Sequence, residues 1–290
     1  MKIYFLFFFL TSCLMKPPLK EVKSNKGSWT SGIFFSGHEH ITRFAIIKAN
    51  ALIKSKHGLP GFYSEVSEWD SGWRTDNPLI EGNFKTDFPD RRIYDFYGVK
   101  KRDLRSWHSE PSFQNIHSMR NYSDGYTQTL FESCQSIKGS IIKATLKAFS
   151  FFRKGQKEEG LFWIGHASHI IQDSFSRAHA LRRSPSFKEI EDICTYGKKF
   201  ESICFHKNYE DIIHGDRIWK VDLNCNLNPL EKSYSCLKPE AQAAVLATSG
   251  YLFIVGELVK EKKFSELEVK RELKKVLEGE ESPNGAYFEC

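Results

Sequence analysis

His169 and Asp173 stand four residues apart in HASHIIQDSFSRAHALRR (166–183), a segment that carries three of the chain's ten histidines. On a helix that spacing puts both side chains on one face, a turn apart, so an imidazole and a carboxylate can share one metal ion. His179 follows Asp173 by six residues, beyond the expected helix end, where a turn can aim it back. His206 and Glu210 in HKNYE repeat the four-residue spacing, now with glutamate. A single H-x-x-x-D pattern is weak, because a salt-bridged helix face produces it equally well. Two such pairs with a histidine between them supply five nitrogen and oxygen ligands of the type zinc takes. One zinc uses about four ligands including water, so more than one ion is expected.

These residues need helices to position them. HEHITRFAIIKANALI (38–53) places apolar residues at three- and four-residue spacing and predicts an amphipathic helix. A stretch to about residue 126 is rich in Gly, Pro, Asp and aromatics without a steady period, and short helices with irregular functional segments are expected there. TLFESCQSIKGSIIKATLKAFSFFRKG then predicts one long helix, Gly155 punctuates it, and KEEGLFWIGHASHIIQDSF predicts a second with an inward apolar face. Further helices are expected near 205–213, 242–260 and 264–277. The helix at 242–260 is interrupted by Thr248, Ser249 and Glu257, which argues for a core helix over a membrane span. Period-2 strand runs are scarce and no repeat is present. The expectation is an all-α, multi-helix single domain.

The N-terminal residues read as targeting, not fold. MK, the apolar run IYFLFFFL and LTSC form a secretory signal whose end resembles a relaxed lipobox, making Cys13 the candidate lipidated residue. Residues 1–13 are thus a signal, 14–28 a basic tether, and 29–290 the domain. Six cysteines remain beyond Cys13, an even number that favours disulfides in an exported protein, with Cys194–Cys204 and Cys225–Cys236 the preferred pairs. No C-x-x-C spacing supports a cysteine-built zinc site. The net charge of +6 favours anionic partners without choosing between lipid and nucleic acid.

The order HIIQD, a histidine six residues on, then HKNYE resembles the bacterial zinc-dependent phospholipase C family, which shares an all-helical tri-zinc core with the S1/P1 nucleases. The resemblance spans residues 29–213, with its specific part in 160–210. It implies further ligands. His38, with Ile41 and Ala45, fits the family's first histidine, and nearby His40 is the alternative. Asp87, after a turn led by Gly82 and before Phe88, fits the family's aspartate, with Asp90 as the alternative. His108, ahead of Glu110 and Pro111, fits the next histidine, and His117 competes with it. The implied arrangement gives Asp87, His108, His169 and Asp173 to one zinc, His179, His206 and Glu210 to a second, and His38 with shared Asp173 to a third. In the family an N-terminal tryptophan completes the third site, and Trp29 is its counterpart. The chain departs from the pattern here: if it starts at Cys13, Trp29 has no free amino group, and Lys26-Gly27-Ser28 offers no small-residue cleavage site. Two or three zinc ions are therefore expected.

The resemblance implies phosphodiester hydrolysis: zinc neutralises charge on the phosphate and lowers the pKa of water towards about 7, with Asp87 orienting or deprotonating the attacking water. Phospholipases of this family end in His-x-x-x-Glu and the nucleases in His-x-x-x-Asp, so Glu210 points to a phospholipase C acting at a membrane surface. A nuclease or 3′-nucleotidase is the alternative, and a non-catalytic zinc-binding surface lipoprotein the third. Arg177, Arg182 and Arg183 are candidate phosphate holders against the plainer reading of a solvated basic turn. Phe88, with Tyr94, Tyr97 and Trp107, is a candidate for cradling a headgroup or base, against core packing.

Overall fold

The structure, a computed structural model, describes residues 37–58, 60–66, 75–100, 107, 110–123, 125–196, 218 and 234–278. It is mostly helical. The expected helix near 205–213, the signal and the tether lie outside the described residues, as do Cys204 and Cys225, one member of each preferred cysteine pair.

Helix α1 (Gly37–His57) buries Ile41, Ala45, Ile46, Ala49 and Ile53 along one face. The region without sequence periodicity contains three short elements, each set by local chemistry. Helix α2 (Pro78–Asp87) starts at Asn77, whose side chain accepts from the backbone N–H groups of Leu79 and Ile80, with proline at the first position where no N–H is needed. Helix α3 (Arg91–Tyr97) is capped by Asp90 and ends at Gly98 in the left-handed region. A 3-10 helix (Pro111–His117) ends at Ser118, which has φ +51°.

Helix α4 (Leu130–Phe152) opens with a capping box in which Thr129 and Glu132 satisfy each other's backbone. Gly155, at φ +73°, turns the chain into α5 (Lys157–Asp173). Helices α6 (Pro239–Lys260) and α7 (Glu266–Glu278) follow among the described residues. Helix α6 is the one described helix long and apolar enough to cross a membrane, and 72% of its apolar window is buried inside the fold, as a core helix requires.

Two small antiparallel pairs accompany the helices: β1 (Tyr122–Ser123) with β2 (Tyr126–Thr127), and β3 (Ala180–Arg182) with β4 (Ile190–Ile193). Strands of this length carry too few residues for a period-2 signal.

Helix α5 is the central element. It packs on α2, α4 and α6, and every residue from Gly160 to Asp173 is buried. Its closest neighbour is α2. A Cβ on Gly82 would stand 1.8 Å from the Phe162 carbonyl oxygen, and one on Gly165 would stand 2.0 Å from that of Leu79. The two glycines let the helix backbones touch, and the ends of α2 and α5 are drawn together. A helix buried all round also carries its polar side chains inside, where each needs a partner. On α5 these are His166, Ser168, His169, Gln172 and Asp173.

Candidate metal centre

Six side chains from five segments converge at the C-terminal end of α5. His169 and Asp173 occupy its last turns, Asp87 is the last residue of α2, His38 lies in the first turn of α1, His117 ends the 3-10 helix, and His179 closes the turn before β3. All six are at most 7% exposed. Asp173 is the hub. Its Oδ1 lies 3.2 Å from His38 Nε2, and its Oδ2 lies 3.4 Å from His117 Nδ1, 3.1 Å from His169 Nε2 and 3.3 Å from His179 Nδ1. Asp87 Oδ1 stands 3.3 Å from His169 Nε2 and 3.7 Å from His117 Nδ1. The His38 and His169 rings stack, with centroids 4.1 Å apart.

Asp173 Oδ2 and both ring nitrogens of His169 are buried and make no hydrogen bond of good geometry. Buried polar atoms left in that condition are rare. Donor atoms of His38, His169 and Asp173 lie within 4.8 Å of one another, and so do those of Asp87, His117 and His169. Imidazole and carboxylate in this mixture suit zinc and related divalent cations, so the residues fit the metal that their sequence spacing suggests.

The charges of the cluster lean on each other. Burial alone would push the Asp173 carboxyl up, but the His179 and His169 imidazoles hold it well below the usual carboxylate range. Asp87 is likewise lowered against burial, by His169 and then His38. Burial favours neutral His169, yet the Asp173 and Asp87 carboxylates override it and raise the imidazole to about 10. The paired carboxylates therefore attract a positive charge to the position of His169 Nε2, as a proton or as a cation.

Asp87 enters the cluster and Asp90 does not: Asp90 caps α3 through Oδ1 and binds the Arg92 guanidinium through Oδ2. His38 is the α1 histidine in contact with Asp173, whereas His40 is buried but belongs to neither donor group. His117 faces both aspartates. The family resemblance favours His108 over it, because His108 precedes Glu110 and Pro111. His108, Trp29, His206, Glu210 and Cys13 lie outside the described residues.

The candidate phosphate and headgroup residues separate differently. Arg182 is a structural clamp: its guanidinium donates to the carbonyls of Ser174 (2.6 Å), Phe187 (2.8 Å) and Lys188 (3.1 Å), and lies over the Phe175 ring. Arg183 pairs with Glu189 and Glu191 on the exposed strand edge. Arg177, more than half exposed on the turn between Asp173 and His179, reaches Glu240 at 3.2 Å. Tyr94 and Trp107 are core, and Tyr97 is half-buried against it. Trp107 donates its indole N–H to the Thr86 carbonyl at 2.8 Å and stacks on Phe113, and Tyr94 meets it edge-on. Phe88 is half-buried, follows Asp87 directly and stacks on Phe84.

His166, the first histidine of HASH, faces away from the cluster's carboxylates. Its Nδ1 lies 2.7 Å from Thr86 Oγ1 and its Nε2 lies 2.7 Å from the Tyr97 hydroxyl, and burial holds it well below the usual histidine range, that is, neutral. It ties α5 to the residue before Asp87 and to the end of α3. Compared with protein-family models, with curated proteins and with solved structures, the chain matches none.

Proposed function

We propose that this chain is a zinc-dependent phosphodiester hydrolase of the phospholipase C type, cleaving glycerophospholipid to diacylglycerol and a phosphorylated headgroup. The observation that carries the reading is the buried convergence of Asp87 and Asp173 on His38, His117, His169 and His179. In this reading Asp87, His117, His169 and Asp173 hold one ion, His38 and Asp173 share another, and His179 joins His206 and Glu210 at the next. Zinc bound there supplies charge neutralisation at the phosphate and acidified water. Asp87, the ligand at the end of its helix and next to half-buried Phe88, orients the attacking water and takes its proton. Fixed donors arranged before substrate arrives need little reorganisation during reaction.

The helical architecture and the order of ligands along the chain support the kinship with phospholipase C and S1/P1 nucleases, and Glu210 supports lipid over nucleic acid. The signal-like N-terminus ending in Cys13 supports export and attachment at the envelope, facing membrane phospholipid. The test is release of phosphorylcholine from phosphatidylcholine by the zinc-loaded full chain, beside a chelated sample, an Asp87→Asn variant and single-stranded DNA as competing substrate. Chelator-sensitive release lost in Asp87→Asn supports the reading. Cleavage of DNA alone moves the chain to the nuclease alternative, and retained zinc with neither activity makes it a binding protein.

A further inference from the structure

Gln172 immediately precedes Asp173 on α5 and is fully buried. Its Oε1 lies 2.9 Å from His38 Nδ1 and accepts from Asn83 Nδ2 at 3.2 Å, while its Nε2 donates to Thr42 Oγ1 at 2.8 Å. Asn83 Nδ2 also donates to Thr42 Oγ1, at 3.2 Å. The four side chains come from α1, α2 and α5, and none is more than 1% exposed. Such groups are tolerated inside only as a bonded network. The direction of the Gln172 amide is coupled to that of Asn83: with Asn83 Nδ2 facing it, turning Gln172 alone would bring NH2 onto NH2, donor against donor.

With oxygen facing His38, Nδ1 of that ring carries the hydrogen. Nε2, on the opposite edge, then presents its lone pair towards Asp173 Oδ1, 3.2 Å away. The stack of His38 on His169 holds the ring plane while Gln172 holds its rotation. We infer that Gln172 is a positioning residue: by accepting the Nδ1 hydrogen of His38 it fixes the tautomer that offers Nε2 to a divalent cation shared with Asp173. The inference rests on the metal reading proposed above. Partners of this kind orient a ligating imidazole and raise its basicity, and losing one lowers metal affinity about 10–100-fold.

The test uses the full chain loaded with Zn2+ or with Co2+ alone, as wild type, Gln172→Met, Gln172→Glu and Thr145→Val. Thr145→Val removes a buried hydrogen bond to Tyr251 between α4 and α6, away from the cluster, and controls for general loosening of the core. Metal per chain and affinity are read by chelator competition, and the His38 tautomer by side-chain 15N NMR of the zinc form. The expected result is an Nδ1–H tautomer for His38 and one ion weakened about 10–100-fold in Gln172→Met. The other ions stay bound, Gln172→Glu recovers the weakened one because it keeps the acceptor, and Thr145→Val leaves all ions in place. Equal affinity for every ion in wild type and Gln172→Met, or an Nε2–H tautomer in wild type, overturns the inference and leaves the metal reading intact. A wild-type chain that takes up no divalent cation overturns both.

Discussion

Gly165 lies against the Leu79 carbonyl so closely that a Cβ at position 165 would stand 2.0 Å from the oxygen. Neither atom can retreat, since both belong to helix backbones, and α2 and α5 must separate to admit even a methyl group. Gly165→Ala is expected to cost about 3 kcal/mol, the upper part of the range for overpacking, and to weaken metal binding by pulling Asp87 from His169. Thermal unfolding and metal content measured together check this. An alanine variant as stable as wild type would mean that the helices do not touch here.

Asp87 and Asp90 stand three residues apart and do different work. Asp90→Ala is expected to lose about 1 kcal/mol of stability, the usual worth of an N-cap, with metal content unchanged. Asp87→Ala is expected to release metal and abolish hydrolysis. Metal analysis of the two purified variants separates the roles, and a normal metal complement in Asp87→Ala removes that residue from the centre.

His117 Nδ1 faces both Asp87 and Asp173, so His117→Ala is expected to lose an ion and to lower activity at least about 100-fold, at the larger end of losses tied to metal sites. His108→Ala is expected to keep the wild-type metal count. The reverse pattern would hand the ligand role to His108.

The metal-free protein should have a characteristic pH profile. His169 is raised from 6.5 to about 10, so its contribution to stability is complete below pH 6.5 and is lost as pH rises through 10. Asp87 and Asp173 are lowered from 3.8, so their contribution is present above that pH and is lost as pH falls below it. His166, lowered by burial, contributes stability that is present above pH 6.5 and is lost as pH falls below it, so metal-free Tm is expected to peak in the window around pH 6.5. Zinc must displace the proton on His169, so the stabilisation by zinc grows as pH rises above that window. Calorimetry with and without zinc across this range checks both statements; a metal-free Tm that climbs steadily from about pH 6 to about pH 9 contradicts the assignment.

How much of the centre was readable from sequence depended on how local its signal was. His169 and Asp173 announce themselves through helical spacing, and α1, α4, α5 and α6 through apolar periodicity. The short elements between α1 and α4 announce nothing by period, because ten residues or fewer carry too few apolar repeats. Their boundaries are written instead in capping residues: Asn77-Pro78 and Asp90 with Gly98 mark α2 and α3. That capping role, read early, assigns Asp90 to the backbone and leaves Asp87 for the site. The choice of His117 had no local sign, since it depends on how the 3-10 helix docks on α5, where Ser118 Oγ donates to the Ile170 carbonyl at 2.6 Å. The partners of Arg182 and Arg183 had no local sign for a related reason: they are carbonyls and carboxylates brought in around the β3–β4 pairing.

The six converging side chains span residues 38 to 179 and belong to five separate segments, so no partial assembly of the chain contains the site. A cation that needs Asp173 together with His38 and His117 finds them only after the first helix, the 3-10 helix and α5 have all docked. Its uptake is then a late event in maturation, and an ion gained is a record that the whole helical core has closed.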